Sequence, residues 1–311
     1  MSFDQIRHRL SSGRPLVLDA DSGASFRARG VELDMPGTLG VLLREQPREV
    51  LSHHLAEVAS RVDVLSALTV DTTPRALAEV GMQHRSAQLT GRALDLALEA
   101  ASDAMRAVAV AGVLGSDMVG PIAADRLQEE LAEHASRLKV SGAELIIARG
   151  QGSRMSLMAA VSTAVELELP TWAVLECSGD SELESSSLGE FFESLRDAGT
   201  SAVLLEVPSV RVGLAELERS RPALDALGLV AGVLLAASDK AVRGFPDPTS
   251  EPEQWAEHAI DLSLAGARVL GGGAGTTESH TRALALALGA LHPSVPPPRA
   301  ASEIDRRPRD W

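Results

Sequence analysis

Short, nearly unbroken apolar runs recur along the chain, separated by longer stretches in which apolar residues return every three or four positions. The runs predict strands at Pro15–Asp19, Arg61–Ser66, Ala107–Gly112, Ala143–Ala148, Thr171–Glu176, Ser201–Glu206, Val230–Leu235 and Ala267–Gly271. Helical spacing marks Ser86–Ala100, Ala123–Leu138, Ser156–Leu167 and Leu188–Ala198. Strands that are apolar on both faces belong in a parallel sheet covered by helices. Eight strand–helix units predict a single (β/α)8 barrel of the TIM type over residues 1–292. An open doubly wound sheet is the alternative, but the count of eight and the lack of an early Gly-x-Gly-x-x-Gly turn weigh against it. Gly142, Gly199 and Gly266 each precede a predicted strand, where a left-handed residue ends a helix. From residue 293 the text becomes PSVPPPRAASEIDRRPRDW, a proline- and arginine-rich stretch expected to form a flexible tail outside the fold.

Composition narrows the function. The 311 residues are 45% hydrophobic and 23% charged, enough apolar material for a real core. A net charge of −14, with no basic stripe, argues against nucleic acid and against an anionic membrane surface as partners. No apolar run reaches the roughly 18 residues of a membrane span. The opening MSFDQIRHRL lacks a secretory core, so a cytoplasmic location is expected. Cys177 is the only cysteine, which excludes an intrachain disulfide and any multi-thiolate metal site, and the absence of tyrosine excludes phenolic acid–base chemistry.

Five segments, in order, carry a resemblance. LDADSGASFRARG at 18–30 is similar to an opening that reads LDGGMGTxLxxRG, with the spacing from Asp19 to Gly30 kept. Gln46-Pro47, His54 and Asp63 follow a P…H…AGAD pattern, and residues 110–115 resemble VAGSIGP. Residues 142–147 resemble GADLLAL, and GGGAGTTESH at 271–280 resembles GGCCGTTPEH. Together they span about residues 14–290 and resemble the homocysteine S-methyltransferase family, whose members include betaine–homocysteine methyltransferase and the N-terminal module of cobalamin-dependent methionine synthase. The resemblance implies a zinc ion held by three cysteines, one after strand six and two in the CC of GGCCG. Such a metal keeps the substrate thiol deprotonated, and the thiolate is the nucleophile. Here those positions fall on Val207, Gly273 and Ala274, so no metal and no cofactor are expected. The glutamate that the resemblance implies for the homocysteine ammonium falls on Arg149, and its neighbouring threonine on Gly150. The twin glycines become Ala20 and Asp21, a tyrosine becomes Val70, and the asparagine before the first cysteine becomes Glu206. A cation in the ammonium's place makes homocysteine a poor candidate substrate.

In this fold, sites form at the C-terminal ends of the strands. The polar residues expected there are Asp19, Asp21, Ser66, Asp117, Arg149, Glu176, Glu206 and Asp239. One reading has Arg149 clamp an anionic small molecule with help from Asp21, Ser66, Gly272 and Gly273, while Glu206 or Asp19 acts as acid or base. In that reading the glycine run 271–275 presents backbone N–H groups to a phosphate. The other reading pairs Arg149 with Glu206, makes Asp19 a cap on a neighbouring turn, and leaves the glycines as a tight turn. Adjacent His53 and His54 point about 100° apart on a helix and form a weak metal pair. His54 and His280 are expected to pack, and Cys177 to be a small buried hydrophobe. Two function classes follow. The losses at the rim point first to an inactive barrel acting as partner or regulatory subunit of an intact methyltransferase or a corrinoid protein. The alternative is an enzyme with a reassigned, metal-independent pocket. An open cavity at the mouth favours the second, and a filled one the first.

Overall fold

The computed structural model describes residues 3–11, 13–33, 35–115, 122–150, 153–177, 185–237 and 251–291. Eight parallel strands form one sheet: β1 (Leu16–Val17), β2 (Val64–Ser66), β3 (Ala109–Gly115), β4 (Leu145–Arg149), β5 (Thr171–Glu176), β6 (Ala202–Val207), β7 (Val230–Leu235) and β8 (Val269–Gly272). Their order is β1-β8-β7-β6-β5-β4-β3-β2, and a single bridge between Leu18 and Val64 joins the two ends. The result is a (β/α)8 barrel, with helices between successive strands.

The near-continuous apolar runs arise because both strand faces are covered. Alternate residues, among them Leu16, Val64, Leu145, Trp172, Ala202 and Val269, fill the barrel interior. The other parity, including Val17, Leu65, Ile146, Val203 and Leu270, packs against the helices. The strand register then fixes the mouth. Gly115 stands opposite Arg149, Glu176 opposite Glu206, and Leu235 opposite Gly272. At the other end, the helix Phe3–Ser11 lays Ile6 against the interior cluster. Arg9 and Arg106 both reach the buried Asp63 carboxylate, which also accepts from the Val17 N–H at 2.9 Å.

Gly142, Gly199 and Gly266 have φ of 93°, 91° and 117°, the left-handed geometry expected where helices end before strands. The third strand runs beyond its expected end at Gly112 to Gly115, because the ladder to β4 continues to Arg149. Several other strands start one to three residues late. No helix among the described residues is long and apolar enough to cross a membrane. The expected tail from residue 293 lies outside the described residues.

Candidate functional site

A cavity of about 630 Å³ opens at the C-terminal ends of the strands. That is the size of a small-molecule site. Its walls bring together every residue of the expected ligand and acid–base set: Asp19, Asp21, Ser66, Arg149, Glu206, Gly272 and Gly273. Ser66, Arg149 and Glu206 reach it because they continue the inward parity of β2, β4 and β6. Leu33, Met35, Leu39, Leu68, Val113 and Ile147 supply apolar wall. Glu176 ends β5 in an exposed position and is not among the lining residues. Asp117 and Asp239 lie outside the described residues.

The polar groups of the mouth satisfy one another. Arg149 is not an open clamp for an anion: its guanidinium is hydrogen-bonded to Glu206. Glu206 is the main cause that holds Arg149 firmly protonated, with Glu176 and Asp21 adding to the field. Asp19 is buried, and Ser66 donates both its backbone N–H and its hydroxyl to the carboxylate at 2.7 Å each. Burial outweighs those two bonds and pushes the Asp19 carboxyl up to about 6. Asp21 caps the helix Ser22–Ala28, accepting from Gly23 N–H at 2.9 Å and from Gly275 N–H at 3.1 Å. Arg27 stands 3.6 Å from the same carboxylate.

The glycine run does not form a phosphate cradle. Gly272 N–H donates to the Asp19 carbonyl, Gly273 N–H to the Leu235 carbonyl, and Gly275 N–H to Asp21, so these donors are already engaged. The glycines serve close approach instead. A Cβ on Gly272 would lie 2.1 Å from Thr276 Oγ1, and one on Gly273 would lie 2.9 Å from the Ala236 nitrogen.

The same geometry tests the thiolate positions implied by the resemblance, and the residues do not fit a zinc ion. Val207 is buried in the outer core among apolar side chains, and Gly273 has backbone where a side chain would begin. Neither these two nor Ala274 offers a ligand atom. Cys177 is buried just beyond β5, and burial pushes its thiol up to about 12, so it is no thiolate either. His280 accepts from the Thr277 N–H at 3.1 Å and meets Trp255 edge-on, while His54 is wholly buried.

Arg27 and Asp71 also line the cavity, and the sequence did not single them out. Both sit in loop-proximal segments rather than at strand ends, so strand periodicity carried no signal for them.

The model of the family described as Homocysteine S-methyltransferase matches residues 16–288. Among solved structures, the oxidized form of the homocysteine methyltransferase MmuM from Escherichia coli superposes with a TM-score of 0.74 at 18% identity, covering 91% of this chain and 99% of that one. Its metallated form gives 0.73 at 19% identity over the same shares. The 3-dehydroquinate dehydratase from Geobacillus kaustophilus, at 0.53 and 10% identity over 90% of this chain and 92% of that one, shares the fold.

Proposed function

The chain belongs to the homocysteine S-methyltransferase family, and we propose that its barrel mouth binds a small cationic molecule and works without a thiolate-held metal. The observation that carries this reading is the charge of the cavity wall: among the described residues that line it, Asp19, Asp21, Asp71 and Glu206 outnumber Arg27 and Arg149. An excess of carboxylates in a concave site draws in an ammonium or a sulfonium and repels an anion. This replaces the anionic ligand expected from Arg149 alone.

Methyl transfer, the family's reaction class, needs no metal when the acceptor is an amine and the donor an onium ion. Asp19, with its carboxyl near 6, is suited to take one proton from the acceptor's ammonium group. The freed lone pair forms the new N–C bond while the donor's C–S bond breaks, its electron pair leaving with the neutral thioether. Homocysteine is not assigned to this chain, because nothing at Val207, Gly273 or Ala274 would hold its sulfur as a thiolate.

A second reading is supported by the mutual pairing of the mouth's polar groups. In it the barrel is a partner or regulatory subunit of an intact methyltransferase or a corrinoid protein, and the cavity is disused.

Titration calorimetry with amines, sulfonium compounds, dicarboxylates and phosphate esters separates the two. Cations bind and anions do not, and Glu206→Gln, by stripping Arg149 of its carboxylate, moves the preference toward anions by at least about tenfold. Wild-type binding of anions overturns the cationic assignment. No binding of either class, with a stoichiometric protein retained through purification from the native host, puts the partner reading in its place.

A further inference from the structure

Behind β1, in the wall between the first and last units of the barrel, lies a second polar cluster. His53 and Glu57 are four residues apart on the helix Pro47–Ala59 and share one face of it. Glu278 begins the helix Glu278–Leu291. An imidazole nitrogen and two carboxylate oxygens from these three residues lie within 4.8 Å of one another. His53 and Glu57 are 0% exposed, whereas the Glu278 side chain is 26% exposed.

The buried members are poorly partnered. Neither carboxylate oxygen of Glu57 has a well-formed hydrogen bond, although the Thr281 hydroxyl and the Ala20 N–H lie near enough to favour its charged form; His53 Nδ1 has none, and His53 Nε2 has only the Ser22 hydroxyl at 3.3 Å. A buried carboxylate without a partner is costly, and the groups that relieve such a cost are donors or cations. The local charge specifies which. Glu57, Glu278 and the nearby Asp19 oppose Arg29, which is paired with Glu278 at 2.7 Å, so two negative charges remain once these groups ionise. Burial pushes Glu57 up to about 8 and His53 down to about 3.

We propose that His53, Glu57 and Glu278 form a binding site for a divalent first-row transition-metal ion, distinct from the thiolate positions at Val207, Gly273 and Ala274. One nitrogen and two carboxylate oxygens suit zinc, manganese or ferrous iron rather than a thiophilic ion. Metal–ligand bonds of about 2.1 Å require the ligand atoms to close to roughly 3.5 Å from one another, a side-chain adjustment. Three protein ligands leave room for water, and the partly exposed Glu278 marks the side of entry. The site does not depend on what the barrel mouth binds.

The test uses the full chain without an affinity tag, stripped with EDTA and freed of it, then titrated with zinc or manganese(II) by calorimetry and assayed for bound metal. One equivalent binds, the unfolding midpoint rises, and Cys177→Ser changes neither. Glu57→Gln and Glu278→Gln each weaken binding at least about tenfold. Absence of binding at micromolar metal, or binding untouched by both substitutions, overturns the site. Should Glu57→Gln fail to fold, Glu278→Gln decides alone, because its side chain sits at the open rim.

Discussion

The mouth of the barrel and the wall behind β1 hold similar side chains in opposite states. At the mouth, which is open to solvent, Arg149 meets Glu206, Asp19 meets Ser66, and Asp21 meets two backbone N–H groups. In the wall, where His53, His54 and Glu57 are buried, neither Glu57 nor His54 makes a well-formed hydrogen bond and His53 makes one long contact. The groups at the mouth are thus the better satisfied ones. Their pairing at the mouth fixes the shape of the cavity.

The largest expected effect comes from removing the buried charge in the wall. Glu57 is raised from 4.5 to about 8, so the folded state holds its proton over a range in which the unfolded chain has lost it. Its cost is absent below the unfolded value and complete above the folded one, which means that stability falls as pH rises through that window. In metal-free protein Glu57→Gln matches the wild type near pH 5 and exceeds it by about 4 kcal/mol near pH 9. Urea unfolding at the two pH values measures this, and an equal difference at both shows that Glu57 has a partner. Saturating zinc narrows that advantage by at least about 1.4 kcal/mol, because the wild type binds the ion at least about tenfold more tightly.

A smaller effect is expected at the mouth. Gly273→Cys, which restores one thiolate position, forces its Cβ to 2.9 Å from the Ala236 nitrogen and 3.0 Å from the Leu235 carbonyl carbon. Overpacking of this kind costs about 1–3 kcal/mol. Wild-type stability in that variant shows that the backbone yields and that a ligand side chain can be built at this position. The smallest effect joins the two regions. Arg29→Gln removes a partly exposed pair and changes metal-free stability by less than about 1 kcal/mol, while freeing Glu278 tightens zinc binding severalfold. Weaker zinc binding in that variant makes Arg29 a support of the cluster rather than a competitor.

Most of the barrel was legible in the sequence because its strands are apolar on both faces and stand apart from the amphipathic helices. The shifts are local: the third strand was closed at Gly112, a residue that weakens isolated strands, yet pairing with β4 carries it to Gly115. Arg149 and Glu206 were readable as mouth residues, since strand ends converge in a barrel whatever the side chain. The state of those residues was less readable. That Gly272, Gly273 and Gly275 had spent their N–H groups depends on Asp19, Asp21 and Leu235, which periodicity cannot place. The wall cluster was half visible. The four-residue step from His53 to Glu57 is a helical pairing, but a single such step on a helix is common and does not by itself point to a site. Glu278 comes from the far end of the chain and carries no local sign of its neighbours.

The ring has one narrow seam. β1 has two residues, pairs with β8 at Leu16–Val269 and Val17–Leu270, and meets β2 through the single Leu18–Val64 bridge. Side chains reinforce the same join, as where Thr276 Oγ1 accepts from the Asp21 N–H across 255 residues of sequence. A contact of that span carries a large loop-closure entropy, so the join at β1 is among the costliest in the barrel to form. His53 and Glu57 stand on one lip of that seam and Glu278 on the other. An ion seated among them acts as a clasp, and its affinity becomes a measure of how firmly the first turn of the chain is fastened to the last.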